Sequence, residues 1–193
     1  SVPIKVEIYK RGYNGVSTAL KAASASPIII SFKNNDDDKF SRVREVECSI
    51  NLVSLIDFEL QQFYTEDERE FRVEVYKNNI LKFKGFLSPS NAQEDFAAAP
   101  YYVTLKAKDA LLSLKKIVYP MPVGSSLDIK QNFVEILAYC LARTNLNLNI
   151  VTTCNLYAKD MPNNLDNDPL ALAYVNPLRF NKGGKIMNCY EVL

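Results

Sequence analysis

The side chains best able to do chemistry in this chain are carboxylates. Glu45, Glu47, Glu70, Glu74 and Asp109 are the candidates for a paired-acid site, because glycoside hydrolysis needs only two carboxyl groups a few ångström apart across a sugar cleft. Most of them fall on the polar face of an expected strand, where a charge needs no further explanation, and Asp109 stands where a helix cap belongs. Trp, a common sugar-stacking platform, is absent, although Tyr can substitute for it. The chain has no His, which excludes Ser-His-Asp and Cys-His pairs and any His-containing zinc site. Its six glycines make neither a G-x-x-x-x-G-K-[ST] nor a G-x-G-x-x-G phosphate cradle. An EF-hand frame begun at Asn34 puts Asp36 and Asp38 at the third and fifth positions and Glu45 at the twelfth. It has Lys39 where the turn needs Gly, so the segment reads as a solvated acidic loop. The expectation is a protein that is not an enzyme, with no catalytic residues, no cofactor and no metal.

The remaining reactive side chains are Cys48, Cys140, Cys154 and Cys189, none in a C-x-x-C pair. Cys48 falls on the apolar side of an expected strand and Cys140 on that of an expected helix, so both read as reduced core thiols acting as small hydrophobes. Lys and Arg total 23 against 22 for Asp and Glu, a balance that points to no nucleic-acid partner. No run approaches the ~20 apolar residues that cross a bilayer, and Ser1-Val2-Pro3-Ile4-Lys5 lacks the layout of a secretory signal. A chain of 193 residues buries enough surface to fold without a metal or disulfide staple.

The elements that must hold these residues are mostly short strands. Ile4, Val6 and Ile8 alternate with Lys5, Glu7 and Tyr9, and the apolar run Ile28–Phe32 follows. From Val43 to about Leu55, Val46, Cys48, Ile50 and Leu52 share one side. Phe71, Val73 and Val75 lead through an Asn78-Asn79 turn of type I′ to Leu81 and Phe83, both expected on the apolar side. Tyr101, Val103, Leu105 and Ala107 make a further strand. Asp109 is expected to cap a helix from Ala110 to about Lys116. A Pro/Gly-rich stretch at 119–124 suggests a boundary, dividing the chain into 1–117 and 118–193. In the second part, Asp128 and Gln131 suggest a capping box for a helix with Ile129, Phe133, Ile136, Leu137, Cys140 and Leu141 on one side and Asn145 as its left-handed cap. Leu146, Leu148 and Ile150 then suggest a strand, and 152–184 reads as irregular with a short ordered piece near 170–175. Asn188 and Glu191 form a second capping box, opening a helix cut short at Leu193, so this part reads as truncated at its C-terminal end. No repeat of fixed period is visible.

Eleven tyrosines stand out. Tyr9, Tyr76 and Tyr102 lie on the nominally polar sides of strands, where an aromatic beside charges suits a protein interface or a face covered by the chain's own helices.

Several segments, taken in order, resemble a known family. They are Val6–Tyr13, Arg44–Ile50, Thr65–Phe71 leading into Val73–Tyr76, Phe83-Lys84-Gly85-Phe86-Leu87-Ser88-Pro89, Pro100–Leu111, and the helix containing Glu135-Ile136-Leu137. Their order resembles tail proteins of phages and prophages, similar in layout to the baseplate (tail) hub proteins of contractile and long-tailed phages. Where the family's Ala-x-Asp segment continues with Gly, this chain has Ala110. The resemblance implies a fold of α+β class, mainly β: a tail-tube-like antiparallel β-barrel followed by a smaller mixed α/β subdomain. It further implies a virion-tail protein made in the bacterial cytoplasm, whose partners are copies of itself in a trimeric ring, the tail tube, and a spike or tip protein. The competing reading from the residues is a carbohydrate- or cell-surface-binding β-domain without catalysis.

Overall fold

The computed structural model describes residues 3–23, 26–33, 45–89, 98–120, 130–151 and 173–193. The chain is α+β and mainly β, and divides into two compact units, Ser1–Asp109 and Ala110–Leu193.

Six strands build the first unit: β1 (Ile4–Lys10), β2 (Ile28–Lys33), β3 (Glu45–Ser54), β4 (Phe71–Lys77), β5 (Ile80–Leu87) and β6 (Tyr101–Lys108). They form one antiparallel sheet in the order β1-β4-β5-β6-β3-β2. Period-two alternation sends one set of side chains into a single core. Cys48, Ile50 and Leu52 of β3 meet Val73 and Val75 of β4, Phe83 and Leu87 of β5, and Val103, Leu105 and Ala107 of β6. Among the described residues β1 and β2 are the outer strands and do not pair with each other, so these residues form an open sheet rather than a closed barrel.

Two local devices set the registers. The β4–β5 turn is the expected one, with Asn78 and Asn79 at φ 53° and 61°. Beyond it the register shifts between Val75 and Tyr76. That irregularity turns Leu81 to stand opposite Tyr76, 45% exposed, while Phe83 is buried as expected. The second device is Gly85. A Cβ there would be driven into the backbone carbonyl of Lys108, so the close approach of β5 to the end of β6 requires glycine.

Asp109 does not cap a helix. Its carboxylate accepts a hydrogen bond from the backbone N–H of Val46 at 2.9 Å, and its own N–H donates to the Val46 carbonyl at 3.0 Å. The residue thus extends the β3–β6 ladder, and the following segment begins as a 3-10 helix, Leu111–Lys116, with no side-chain cap.

In the second unit this 3-10 helix lies with α1 (Phe133–Ala142) and α2 (Cys189–Val192) around Leu114, Tyr119, Ile136, Cys140 and Cys189. Because Leu111 and Leu114 pack there, the units divide at 109/110 rather than at 117/118. Two small ladders complete it: β7 (Gln131–Asn132) with β8 (Tyr174–Val175), and β9 (Asn181–Lys182) with β10 (Lys185–Ile186). Helix α1 starts later than expected. Gln131 and Asn132 are drawn into the β7–β8 ladder, and the Asn132 side chain caps the helix by accepting from the N–H groups of Val134 and Glu135 at 2.8 and 3.4 Å. Asp128 lies outside the described residues. Asn145 takes the expected left-handed conformation at φ 60°. Leu146, Leu148 and Ile150 do not form a strand, because Asn145 and Asn147 (φ 47°) both leave the extended region. The capping box of α2 is present in full: Asn188 accepts from the Glu191 N–H at 3.0 Å and Glu191 from the Asn188 N–H at 2.9 Å. No helix among the described residues is long and apolar enough to cross a membrane.

Two substitutions test these devices. Gly85→Ala is expected to destabilise the first unit by about 2 kcal/mol or more, since backbone rather than a flexible side chain must give way. Asp109→Ala is expected to cost about 1 kcal/mol by leaving the Val46 N–H without its partner. Urea unfolding midpoints measure both.

Candidate functional site

The side of the sheet opposite the core carries a patterned surface across β1, β4 and β5. Strand β1 presents Lys5, Glu7 and Tyr9, and β4 presents Arg72, Glu74 and Tyr76. Their antiparallel register sets Glu7 opposite Glu74, Tyr9 opposite Arg72 and Lys5 opposite Tyr76. Each strand therefore runs base, glutamate, tyrosine at alternate positions, and the two triplets are related by a local two-fold centred on the glutamates.

Ion pairs and tyrosine hydrogen bonds repeat the symmetry. Lys5 Nζ lies 2.6 Å from Glu7, and the Tyr9 hydroxyl donates to Glu7 at 2.6 Å. Arg72 Nε lies 3.2 Å from Glu74, and the Tyr76 hydroxyl donates to Glu74 at 2.5 Å. The Arg72 guanidinium also stands over the Tyr9 ring, 4.6 Å from its centroid. Lys84 of β5 breaks the symmetry, contributing a second cation 3.2 Å from Glu74. Glu74 is the buried member, its side chain 9% exposed against 28% for Glu7.

Electrostatics follow from these contacts. Burial acts to raise the Glu74 pKa, but the hydrogen bonds from Tyr76 and Lys84 and the charges of Lys84 and Arg72 outweigh it, and the net shift is downward. Glu7 is likewise lowered, chiefly by its bonds to Lys5 and Tyr9. The bond to Glu7 is the main reason that the Tyr9 phenol is pushed up to about 12. Both glutamates are thus held as anions and both phenols as donors. Acid–base catalysis by a carboxylate pair asks for the opposite, one member raised and one lowered. Chemically this face is an aromatic platform on which each anion is paired with a cation and Lys84 leaves one positive charge in excess.

The other expected acids have partners elsewhere: Glu45 stands opposite Lys33 and Glu47 opposite Lys108, Glu70 bonds Lys10 and Thr65, and Asp109 accepts from the Val46 N–H. The loop from Asn34 lies outside the described residues except for Glu45. Among the described residues no group of three or more His, Cys, Asp or Glu is placed to hold a metal ion.

Of the three expected interface tyrosines, the sheet brings Tyr9 and Tyr76 together and leaves Tyr102 apart. Tyr9, Arg72, Phe86 and Lys108 occupy one row across the strands. Tyr76 lies four residues beyond Arg72 and Tyr102 six residues before Lys108, in the opposite direction. At ~3.3 Å per residue the two are roughly 30 Å apart along the strands. Tyr102 is 69% exposed, at the end of the sheet where Ile56 and Phe58 follow β3. Phe58 is held at φ 62°, its N–H donating to the Tyr101 hydroxyl at 3.4 Å.

Glu74 was singled out from the sequence only as a candidate acid, and Lys5, Glu7, Arg72 and Lys84 not at all. A signal for them exists: Lys5-Val6-Glu7-Ile8-Tyr9 and Arg72-Val73-Glu74-Val75-Tyr76 are one pentapeptide pattern written twice. A separate shallow recess on this unit is lined by Lys10, Gln61, Gln62, Tyr64 and Glu70. No family model, curated protein or solved structure matches the chain.

The lowered Glu74 pKa has a definite sign in stability. Protonation breaks contacts that the unfolded chain does not make. The contribution is therefore whole above the unfolded glutamate value of about 4.3 and is lost as pH falls through the lower folded value. Glu74→Gln is expected to cost about 1 to 2 kcal/mol at neutral pH, and the gap to the unsubstituted protein is expected to close below about pH 4. Denaturant titrations at several pH values measure it.

Proposed function

We propose that this chain is a structural component of a phage or prophage tail, a hub or tail-tip protein that joins the tail tube to the baseplate or spike by ring assembly. The observation that carries this reading is the open antiparallel sheet, with β1 and β2 as outer strands among the described residues and an aromatic face of paired charges across β1, β4 and β5. A ring built from one kind of subunit uses heterologous contacts, and these need two different surfaces on each copy. Outer strands are natural surfaces of that kind, because their backbone groups can pair with another chain. In this reading the sheet completes a tail-tube-like barrel, the assembled form is a trimer, and it works in the virion tail without catalysis, cofactor or nucleic acid. The resemblance in segment order, from Val6–Tyr13 through the Glu135 helix, supports the same assignment.

A second reading, a carbohydrate- or cell-surface-binding β-domain, is favoured by the recess of Lys10, Gln61, Gln62, Tyr64 and Glu70. Its mixture of amides, charge and one aromatic matches what a sugar edge and face require.

The test is the mass in solution, by sedimentation velocity, of this chain and of the full-length natural protein. The hub reading expects a trimer for the full-length protein, weakened by Tyr9→Ala or Tyr102→Ala while the folded spectrum is kept. Monomers in every case at tens of micromolar, together with glycan-array binding that Tyr64→Ala abolishes, would replace it with the second reading.

A further inference from the structure

Two thiols meet inside the second unit. Cys140, in the last turn of α1, and Cys189, the first residue of α2, are both fully buried among Leu114, Tyr119 and Ile136. Their side chains are hydrogen bonded to each other, and both are unbridged. Cys48, the other described cysteine, is equally buried but lies in the sheet core of the first unit. A buried thiol alone is an inert small hydrophobe. Two thiols that meet across two helices in one core cluster are the pair from which a bridge can form.

We propose that Cys140 and Cys189 form an oxidisable dithiol, which a small-molecule disulfide such as oxidised glutathione converts into an intramolecular bridge tying α2 to α1. The order of events follows from the surroundings. Burial pushes the Cys189 thiol up, and the Cys140 S–H and the Arg143 charge offset only part of that. Cys140 is pushed up to about 12, first by burial and then by Cys189. Cys189 therefore attacks first, forming a mixed disulfide and releasing one glutathione thiolate, which takes up a proton. Cys140 then gives up its proton and attacks the Cys189 sulfur, expelling the second glutathione. The two protein thiols lose two electrons and two protons, and the small disulfide gains them as two thiols. Access comes through α2: a four-residue helix, held by its capping box, by packing and by the backbone bonds from Cys189 N–H to Ile117 and from Tyr119 N–H to Met187, opens locally more easily than the sheet core around Cys48. The bridge closes a loop from 140 to 189 and restrains the unfolded chain accordingly.

The experiment uses the whole reduced chain. It is incubated with oxidised glutathione without denaturant, quenched by alkylation, and read by intact mass and peptide mapping. The expected result is loss of two hydrogen atoms, a mapped Cys140–Cys189 bridge, and a thermal midpoint raised by several degrees and restored by dithiothreitol. Cys140→Ala is expected to stop at the mixed disulfide on Cys189. A bridge that instead involves Cys48 or Cys154, four thiols left free after prolonged exposure, or a 140–189 bridge that leaves the midpoint unchanged would each overturn the proposal. The mapping is done on the unsubstituted chain, so it stands even if an alanine variant folds poorly.

Discussion

The buried carboxylate of Glu74 commits three strands at once. A charge removed from water is tolerated only with close counter-charges and hydrogen-bond donors. Here they come from β4 itself through Arg72 and Tyr76 and from β5 through Lys84, while β1 covers the flank with Glu7 and Tyr9. A slip of one residue in β5 would turn Lys84 to the core side and leave the anion with fewer partners. The irregularity at Val75/Tyr76 and the close approach at Gly85 lie on either side of this network along the hairpin. The same pairing that satisfies Glu74 thus sets which residues the outer face presents.

The two units solve the problem of order differently. The sheet relies on strict alternation, and its core reads almost directly from period-two spacing along β3, β4 and β6. The second unit has short elements with little regular pairing, and its order depends on end-capping: Asn132 on α1, Asn176 on the Pro177–Phe180 turn, and the Asn188–Glu191 box on α2. Each cap satisfies N–H groups that a short helix cannot satisfy internally. The buried thiols, Tyr119 and Leu114 supply the apolar contact that such short helices need.

A face whose ions are paired with their own neighbours suits contact with another surface at modest desolvation cost, because they enter the interface already paired. That is the physical link between the Tyr9–Tyr76 platform and the proposed assembly role. Tyr102 belongs to a different patch, with Ile56 and Phe58, at the far end of the strands. Three tyrosines that look equivalent as aromatic residues on polar sides become two surfaces once the registers are known, and two distinct surfaces are what a heterologous contact uses.

The positions of β1 to β6, the inward residues of β3, β4 and β6, the Asn78-Asn79 turn and the Asn188–Glu191 box were legible in the sequence, because each depends on neighbours within a few residues. What failed was decided by distant partners. Asp109 has the chemistry of a helix cap, yet the N–H of Val46, 63 residues away, claims its carboxylate. Leu81 has the spacing of a core residue, yet the register shift beside Tyr76 turns it outward. Gln131 and Asn132 look like helix, yet β8 draws them into a ladder. The Glu7–Glu74 pairing and the Cys140–Cys189 contact also lie beyond local spacing. By itself the sequence determined the mainly β class of the fold, its alternating core, the left-handed Asn145 and the Asn188–Glu191 box. Tertiary structure alone decided which polar groups meet, because a hydrogen bond or ion pair goes to whichever partner the folded backbone brings within about 3 Å.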